Sequence, residues 1–476
     1  MSSNGTDHTA HSTKRVLIMR QKIDGKPSFP FRVGPPAKVY REYQERYNRI
    51  DALLEANPAI LDAVHDDLDK QCSDTGRPSE FSSEQFLRMI VIKVMEGLPY
   101  RDTIVRVSDS DFLRNFSRLY SGNMMSFTVF ETAVKGISAA TWEKINAILS
   151  GYARRQKKIS GKRLRVDSTV CESNIHYPTD ASLLWDGYRV LARILRRCVK
   201  EDGALYIGNR FHERKIKRLY TFISTHAGKK TGATQRAVGK AARILRERVE
   251  GICRASREFI ANANARGVAS MKALGWLAQL EEMTRRVDIV TACAKRVQAG
   301  ETVPAEDRIF SIFEPHTELL KRGKARKPVE FGHMVTIGQT EEKFISFYRV
   351  EEKSRHDIHL GDEALKDHKE QFGEYPRGFA ADKNYYGGPD HSAYWKKRIP
   401  VYAVGKKGRR NEEETNREHG LLFRLLQQFR AGCEGSISVL KRVFGLVRCL
   451  NRGFNSFAST VGSMIFCHNL VVLTRL

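Results

Sequence analysis

The order of strand-patterned segments constrains this chain most. The stretch 163-RLRVDSTVCES-173 alternates and is rich in β-formers, yet it stands between two long helical tracts. The next strand patterns come at 328–340 and 343–353, with Gly338 and its polar neighbours placed in a hairpin turn. A helix over 362–373 ends at Gly373, with Pro376 as a stop. Short strands follow at 377–388 and 398–405, and helices from about residue 421. With the helical block near 182–300 removed, an antiparallel hairpin feeds a helix and then a parallel strand. That order predicts an α/β fold, a mixed sheet flanked by helices.

Residues 1–35 are polar, contain Gly and Pro, and read as a flexible arm. Residues 36–155 carry helical periodicity. Pro58 separates two helices, Ser82 with Gln85 makes a capping box, Gly97-Leu98-Pro99 makes a turn, and Ser126 and Ser138 are candidate caps. Short helices joined by tight turns predict a helix-turn-helix-like DNA-binding domain, with an oligomerisation bundle as the alternative. The expected organisation is completed by a sheet-bearing domain over 160–181 and 305–476, interrupted by a basic helical insertion over 182–304.

Charge narrows the partners. Lys plus Arg number 81 against 55 Asp plus Glu, a net charge of +26. Residues 189–257 alone hold 19 basic against 5 acidic residues, more than half of the excess. One sign dominating so long a stretch favours contact with a phosphate backbone over a merely solvated face. No amphipathic basic tail supports membrane-surface binding. The polar N-terminus lacks a secretory apolar region, and the apolar run 457–473 contains His468 and Asn469, which suits a buried helix. The eight cysteines show no zinc or redox spacing, so reduced thiols and a cytoplasmic, nucleoid-associated location are expected.

Three carboxylates are candidates for chemistry. Asp167 and Asp382 are placed at or near the ends of short apolar strands, and Glu434 on the helix that follows. Arg430, Glu434 and Lys441 lie four and seven residues apart, which brings them to nearly one helix face. Burying a lone aspartate is costly, and divalent ions shared between carboxylates would offset that cost while acting on a phosphate. An all-oxygen set suits two Mg²⁺ ions, with Mn²⁺ as a substitute. Rivals are Glu172, Asp180 and Asp186. Glu412, Glu413, Glu414 and Glu418 read as a solvated loop, and Asp180 as a helix cap.

The stretches 165–191, 328-PVEFGH-333, 379-FAADKNYY-386 and 429–453 together resemble the transposases of bacterial insertion sequences. The resemblance implies an RNase H-like domain with an Asp-Asp-Glu triad, here Asp167, Asp382 and Glu434 as metal ligands. The group with a Tyr-x2-Arg-x3-Glu-x6-Lys signature is matched at Arg430, Glu434 and Lys441, while Gln427 stands at the tyrosine position. By the same resemblance Arg430 and Lys441, with neighbouring Arg442, would contact DNA phosphates. Tyr385 could stack on an unpaired base or simply pack. Implied partners are terminal inverted repeats, target DNA and further copies of the chain in a dimer or larger assembly. Implied chemistry is phosphodiester hydrolysis followed by strand transfer. The alternatives are a nuclease of the same fold that does not join strands, and a DNA-binding protein whose catalytic centre has lapsed.

Overall fold

The structure, a computed structural model, describes residues 37–70, 79–120, 122–208, 211–229, 231–268, 270–324 and 327–476. The expected N-terminal arm lies outside the described residues, as does Cys72. The described chain opens on α1 (Lys38–Glu55), α2 (Pro58–Asp69), α3 (Ser83–Met95), α4 (Tyr100–Ser108), α5 (Asp111–Phe116), α6 (Phe127–Gly136) and α7 (Ala139–Arg155). Local signals set these boundaries. Pro58 occupies the first position of α2, and Ser82 and Gln85 close a reciprocal capping box on α3. Ser126 and Ser138 cap α6 and α7. Helix α3 is buried on nearly all sides, including Arg88, whose guanidinium is paired with Asp51, Glu55 and Glu84. That pairing is what makes a buried charge tolerable.

β1 (Arg163–Ser173) follows and leads into α8 (Asp180–Glu201), α9 (Glu213–His226), α10 (Gly232–Arg266) and α11 (Met271–Gln298). These four helices bury their own core, with Leu191, Leu195, Leu245, Leu280 and Val287 at its centre. Helices α8 and α11 cross closely at Gly187, where an added Cβ would stand 2.8 Å from Val287. Helix α8 starts from a capping box of Thr179 and Ser182. The expected cap, Asp180, is instead the first helical residue, 3.5 Å from Arg308.

Next come β2 (Glu318–Lys324), β3 (Lys327–Thr340), β4 (Ile345–Val350), α12 (Asp357–Phe372), β5 (Gly378–Ala381), α13 (Pro389–Lys396), β6 (Val401–Ala403), α14 (Glu412–His419), α15 (Leu421–Val443), β7 (Arg448–Cys449) and α16 (Phe454–Leu473). The seven strands form one mixed sheet in the order β2-β3-β1-β5-β6. β3 is antiparallel to β1, and its two halves pair with β2 and β4 along the other edge. β5 and β7 are parallel to β1, and β6 is parallel to β5.

Several details depart from the sequence reading. β2 carries charged residues at most positions and was not expected as a strand; charge is a usual feature of a sheet edge. Gly338 lies within β3 opposite Phe347 rather than in a turn, and the reversal runs through Lys343, which has φ 68°. The stretch expected as a solvated loop contains α14, started by a capping box of Asn411 and Glu414.

One continuous apolar core joins the N-terminal helices, one face of the sheet and α16. Trp142 of α7 donates to Ser459 of α16 at 3.0 Å, and Arg49 of α1 donates to the Thr474 carbonyl at 2.8 Å. Helix α16 is long and apolar enough to cross a membrane, but 83% of its apolar window is buried inside the protein. Its polar residues are satisfied there: Asn469 binds the Asn146 side chain at 2.7 Å and the Ile345 carbonyl at 2.8 Å.

Candidate active site

Strand register builds the site. The parallel pairing of β1 with β5 runs from Arg163–Gly378 to Val166–Ala381 and stops there. The next residue on each strand is a carboxylate, Asp167 and Asp382. Asp167 is therefore not at the end of its strand, since β1 continues to Ser173; what ends beside it is the pairing with β5. Side chains alternate along a strand, so Arg165, Asp167, Ala380 and Asp382 share one face. Ala380 on that face packs with Phe423 and Leu426 of α15, whereas Val166 and Ala381 pack with Leu360 and Leu365 of α12 on the other.

Helix α15 lies close to β1 because Gly432 has no side chain. An added Cβ there would stand 2.3 Å from Nη1 of Arg165. Arg165 is buried. It donates to the Phe429 carbonyl at 2.7 Å and to Gln339 at 2.9 Å, and its guanidinium lies 4.7 Å from the centre of the Phe429 ring. Ser436, one turn further along α15, also donates to Gln339, at 3.0 Å. This seat fixes the helix that carries Glu434.

Asp167, Asp382, Arg430, Glu434, Lys441 and Arg442 line one cleft of ≈ 620 Å³, together with Ser168, Thr169, Ile437 and Ser438. The backbone N–H of Ser168 donates to Asp167 at 2.8 Å, and that of Lys383 donates to Asp382 at 2.7 Å. The Arg430 guanidinium stands 3.8 Å from both Asp167 and Glu434. It is held from behind by Gln427, whose side-chain carbonyl accepts from Arg430 Nε at 3.0 Å. The Gln427 amide donates to the Ala403 carbonyl at 2.6 Å and faces that of Ala381 at 3.4 Å. Gln427 thus ties Arg430 to the ends of β5 and β6. Its position in the signature was legible; this job was not.

Exposure grades the carboxylates. Asp167 is 18% exposed and Glu434 69%. Asp167 sits among fixed partners, while Glu434 projects from the helix into the mouth of the cleft. The three donors are all oxygens, the chemistry a hard cation such as Mg²⁺ takes. They do not close on a common point: among the described residues no three of His, Cys, Asp and Glu stand close enough to hold a metal ion. The Arg430 guanidinium bridges Asp167 and Glu434 as their counter-charge.

The rival residues have structural work. Glu172 pairs with Arg448 at 2.8 Å, and Asp186 with Arg189 at 2.7 Å. Glu418 accepts from the Lys406 N–H at 2.8 Å, and Glu414 pairs with the Lys406 ammonium at 2.6 Å. Tyr385 is corrected from a base-stacking candidate to a packing residue. Its ring is only 1% exposed, and its hydroxyl lies 2.8 Å from Ser168 Oγ, which in turn lies 2.8 Å from Thr336. A ring with no free face cannot stack on a base. The Cys433 thiol, beside Glu434, is pushed up to about 12 by burial and then by the charge of Asp167, which leaves it an inert packing group.

Residues 38–134, spanning α1 to most of α6, match the family described as a transposase domain (DUF772). The chain carries a transposase domain. No curated protein and no solved structure matches it. A transposase domain is consistent with DNA as the partner of the chain's basic excess. The cleft lies outside the matched residues.

Proposed function

We propose that this transposase cuts and rejoins DNA with Asp167, Asp382 and Glu434 as the acidic triad of an RNase H-like domain. One observation carries the reading: carboxylates from β1, the end of β5 and α15 line one cleft on one face of the sheet, beside Arg430, Lys441 and Arg442. The strand order supports the fold assignment. A central first strand has an antiparallel hairpin on one side and short parallel strands on the other.

The three carboxylates would hold Mg²⁺, for which Mn²⁺ could substitute. Bound there, the ions would supply Lewis acidity toward a scissile phosphate. The chain itself supplies orientation and charge. Lys441 and Arg442 hold phosphate oxygens at the cleft rim. Arg430 exchanges its two carboxylate contacts for a phosphate, and the exposed Glu434 is free to turn inward as it leaves. In hydrolysis, water adds to phosphorus and the P–O3′ bond breaks, releasing a 3′-hydroxyl. In strand transfer that hydroxyl attacks a target phosphate, and the target's own 3′-oxygen leaves. Helices α1–α7 and the basic insertion bind terminal inverted repeats and target DNA, and a dimer or larger assembly brings two ends together.

The test is Asp167→Asn on a plasmid carrying marked element ends. Nicking should disappear while end binding in gel shift stays within about twofold, because a single neutralised carboxylate changes the phosphate contacts little. Undiminished nicking refutes the triad. Nicks without joined products in the wild-type protein support a nuclease instead.

A further inference from the structure

Helices α9 and α10 of the insertion face each other across an open groove of ≈ 870 Å³, closed on its inner side by Tyr188 of α8. Lys215, Arg218 and Phe222 recur at three and four residues along α9, so they share a face. Arg248, Gly251 and Arg254 do the same along α10. Some other arginines of the insertion are taken up by carboxylates: Arg196 pairs with Glu213 at 2.5 Å and Arg257 with Asp288 at 2.7 Å, and Arg246 pairs with Glu250. Among the described residues, Lys215, Arg218, Arg248 and Arg254 form no ion pair. Four cations with no carboxylate partner therefore line one groove together with the rings of Phe211 and Phe222.

We propose that this groove seats a short stretch of unpaired DNA strand. Duplex backbone would use the cations but leaves no base face for the rings, because its bases are stacked on each other. An unpaired strand presents both phosphates and π-faces, and stacking on aromatic side chains is tolerant of sequence. The two glutamates of the groove, Glu247 and Glu258, fit the same ligand. A carboxylate repels phosphate but accepts from the exocyclic amine of a base such as cytosine. Gly251 leaves the groove floor open: a Cβ there would meet only Arg254 Nη2, at 4.0 Å.

The inference rests on the DNA reading above, and its test separates the two. Binding of the full chain to a labelled blunt duplex is compared, by fluorescence anisotropy, with binding to the same duplex carrying a short cytosine tail. Wild type should prefer the tailed duplex about tenfold, roughly the worth of one stacked base. Gly251→Leu projects an apolar side chain into the groove, and its Cβ approaches only Arg254 Nη2, at 4.0 Å. It and Phe222→Ala should abolish the preference and leave blunt-duplex binding in place. No preference in wild type, or a preference that survives Gly251→Leu, overturns the groove assignment. A change in oligomer mass by light scattering in Gly251→Leu, with DNA binding unmoved, also overturns it, since the groove would then hold a protein segment. Failure of wild type to bind even the blunt duplex would count against the DNA reading itself.

Discussion

Gly432 and Gly435 lie on either side of Glu434 in α15, and alanine at the two positions should act with opposite sign. At Gly435 an added Cβ meets nothing within 4 Å. Gly435→Ala should therefore gain the helix propensity alone, about 1 kcal/mol. At Gly432 the Cβ falls 2.3 Å from Arg165 Nη1 and 3.2 Å from its Cζ. The guanidinium cannot swing away freely, because it is buried and bonded to Phe429 and Gln339. Giving up the bond to the Phe429 carbonyl costs about 1.5–3 kcal/mol for a charged donor. Set against the same propensity gain, Gly432→Ala should be destabilising by about 0.5–2 kcal/mol, leaving the two variants about 1.5–3 kcal/mol apart. If α15 instead lifts away to relieve the contact, Glu434 moves with it, and a displacement of about 1 Å can cost on the order of 100-fold in rate. Urea unfolding midpoints give the stability difference, and plasmid nicking gives the rate. In a double-variant cycle, Arg165→Met removes the obstructing atoms, so adding Gly432→Ala to it should cost almost nothing further. Equal stabilisation by Gly432→Ala and Gly435→Ala would refute the seat of α15 on Arg165.

Gln427→Ala removes the hydrogen bonds that hold Arg430 against the strand ends. Nicking should fall by roughly tenfold, the loss of one charge-assisted contact, with the unfolding midpoint little changed; unchanged nicking would show that Arg430 needs no such support. Burial holds His333, His368 and His468 down at about 4, from an ordinary 6.5. The unfolded chain takes up those protons first. The stability they confer is thus complete above about pH 6.5 and lost as the pH falls toward 4, at about 1 kcal/mol per pH unit for each histidine. Asp367, raised to about 6 by burial, gains a proton in the fold over much of the same window and offsets part of one histidine's share. Urea midpoints from pH 7 to 4.5 should fall steadily, and a flat series would refute the neutral burial of these rings.

Signals that were local in the sequence read through to the structure. The capping box of Ser82 and Gln85, Pro58 at a helix start, and the strand carrying Asp167 all depend on neighbours a few residues apart. The mixed sheet followed from the order of those segments. The carboxylates that line the cleft were also legible, because a strand–carboxylate–helix order places them on one side. What failed was long-range or disguised. β2 is written in charged residues, which edge strands tolerate and propensity does not flag. Asn411 and Glu414 made a readable cap for α14, but the surrounding glutamates pointed to a loop. Tyr385 follows a cleft-lining aspartate in sequence, and only the packing of α12 and β5 shows that its ring faces inward. The closeness of Arg165 to Gly432 joins residues that no local pattern connects.

The shared core of the N-terminal helices and α16 has a consequence for synthesis. Trp142 and its partner Ser459 are 317 residues apart. At about 5–20 residues per second, roughly 15–60 s pass between the making of one side of that contact and the other. Throughout that interval the apolar faces that α3 and α7 turn toward α16 have no native cover. A nascent chain of this protein must therefore carry its transposase domain incompletely packed until α16 emerges. Premature termination anywhere upstream of Phe454 would leave a product prone to association through those faces rather than a freestanding DNA-binding fragment.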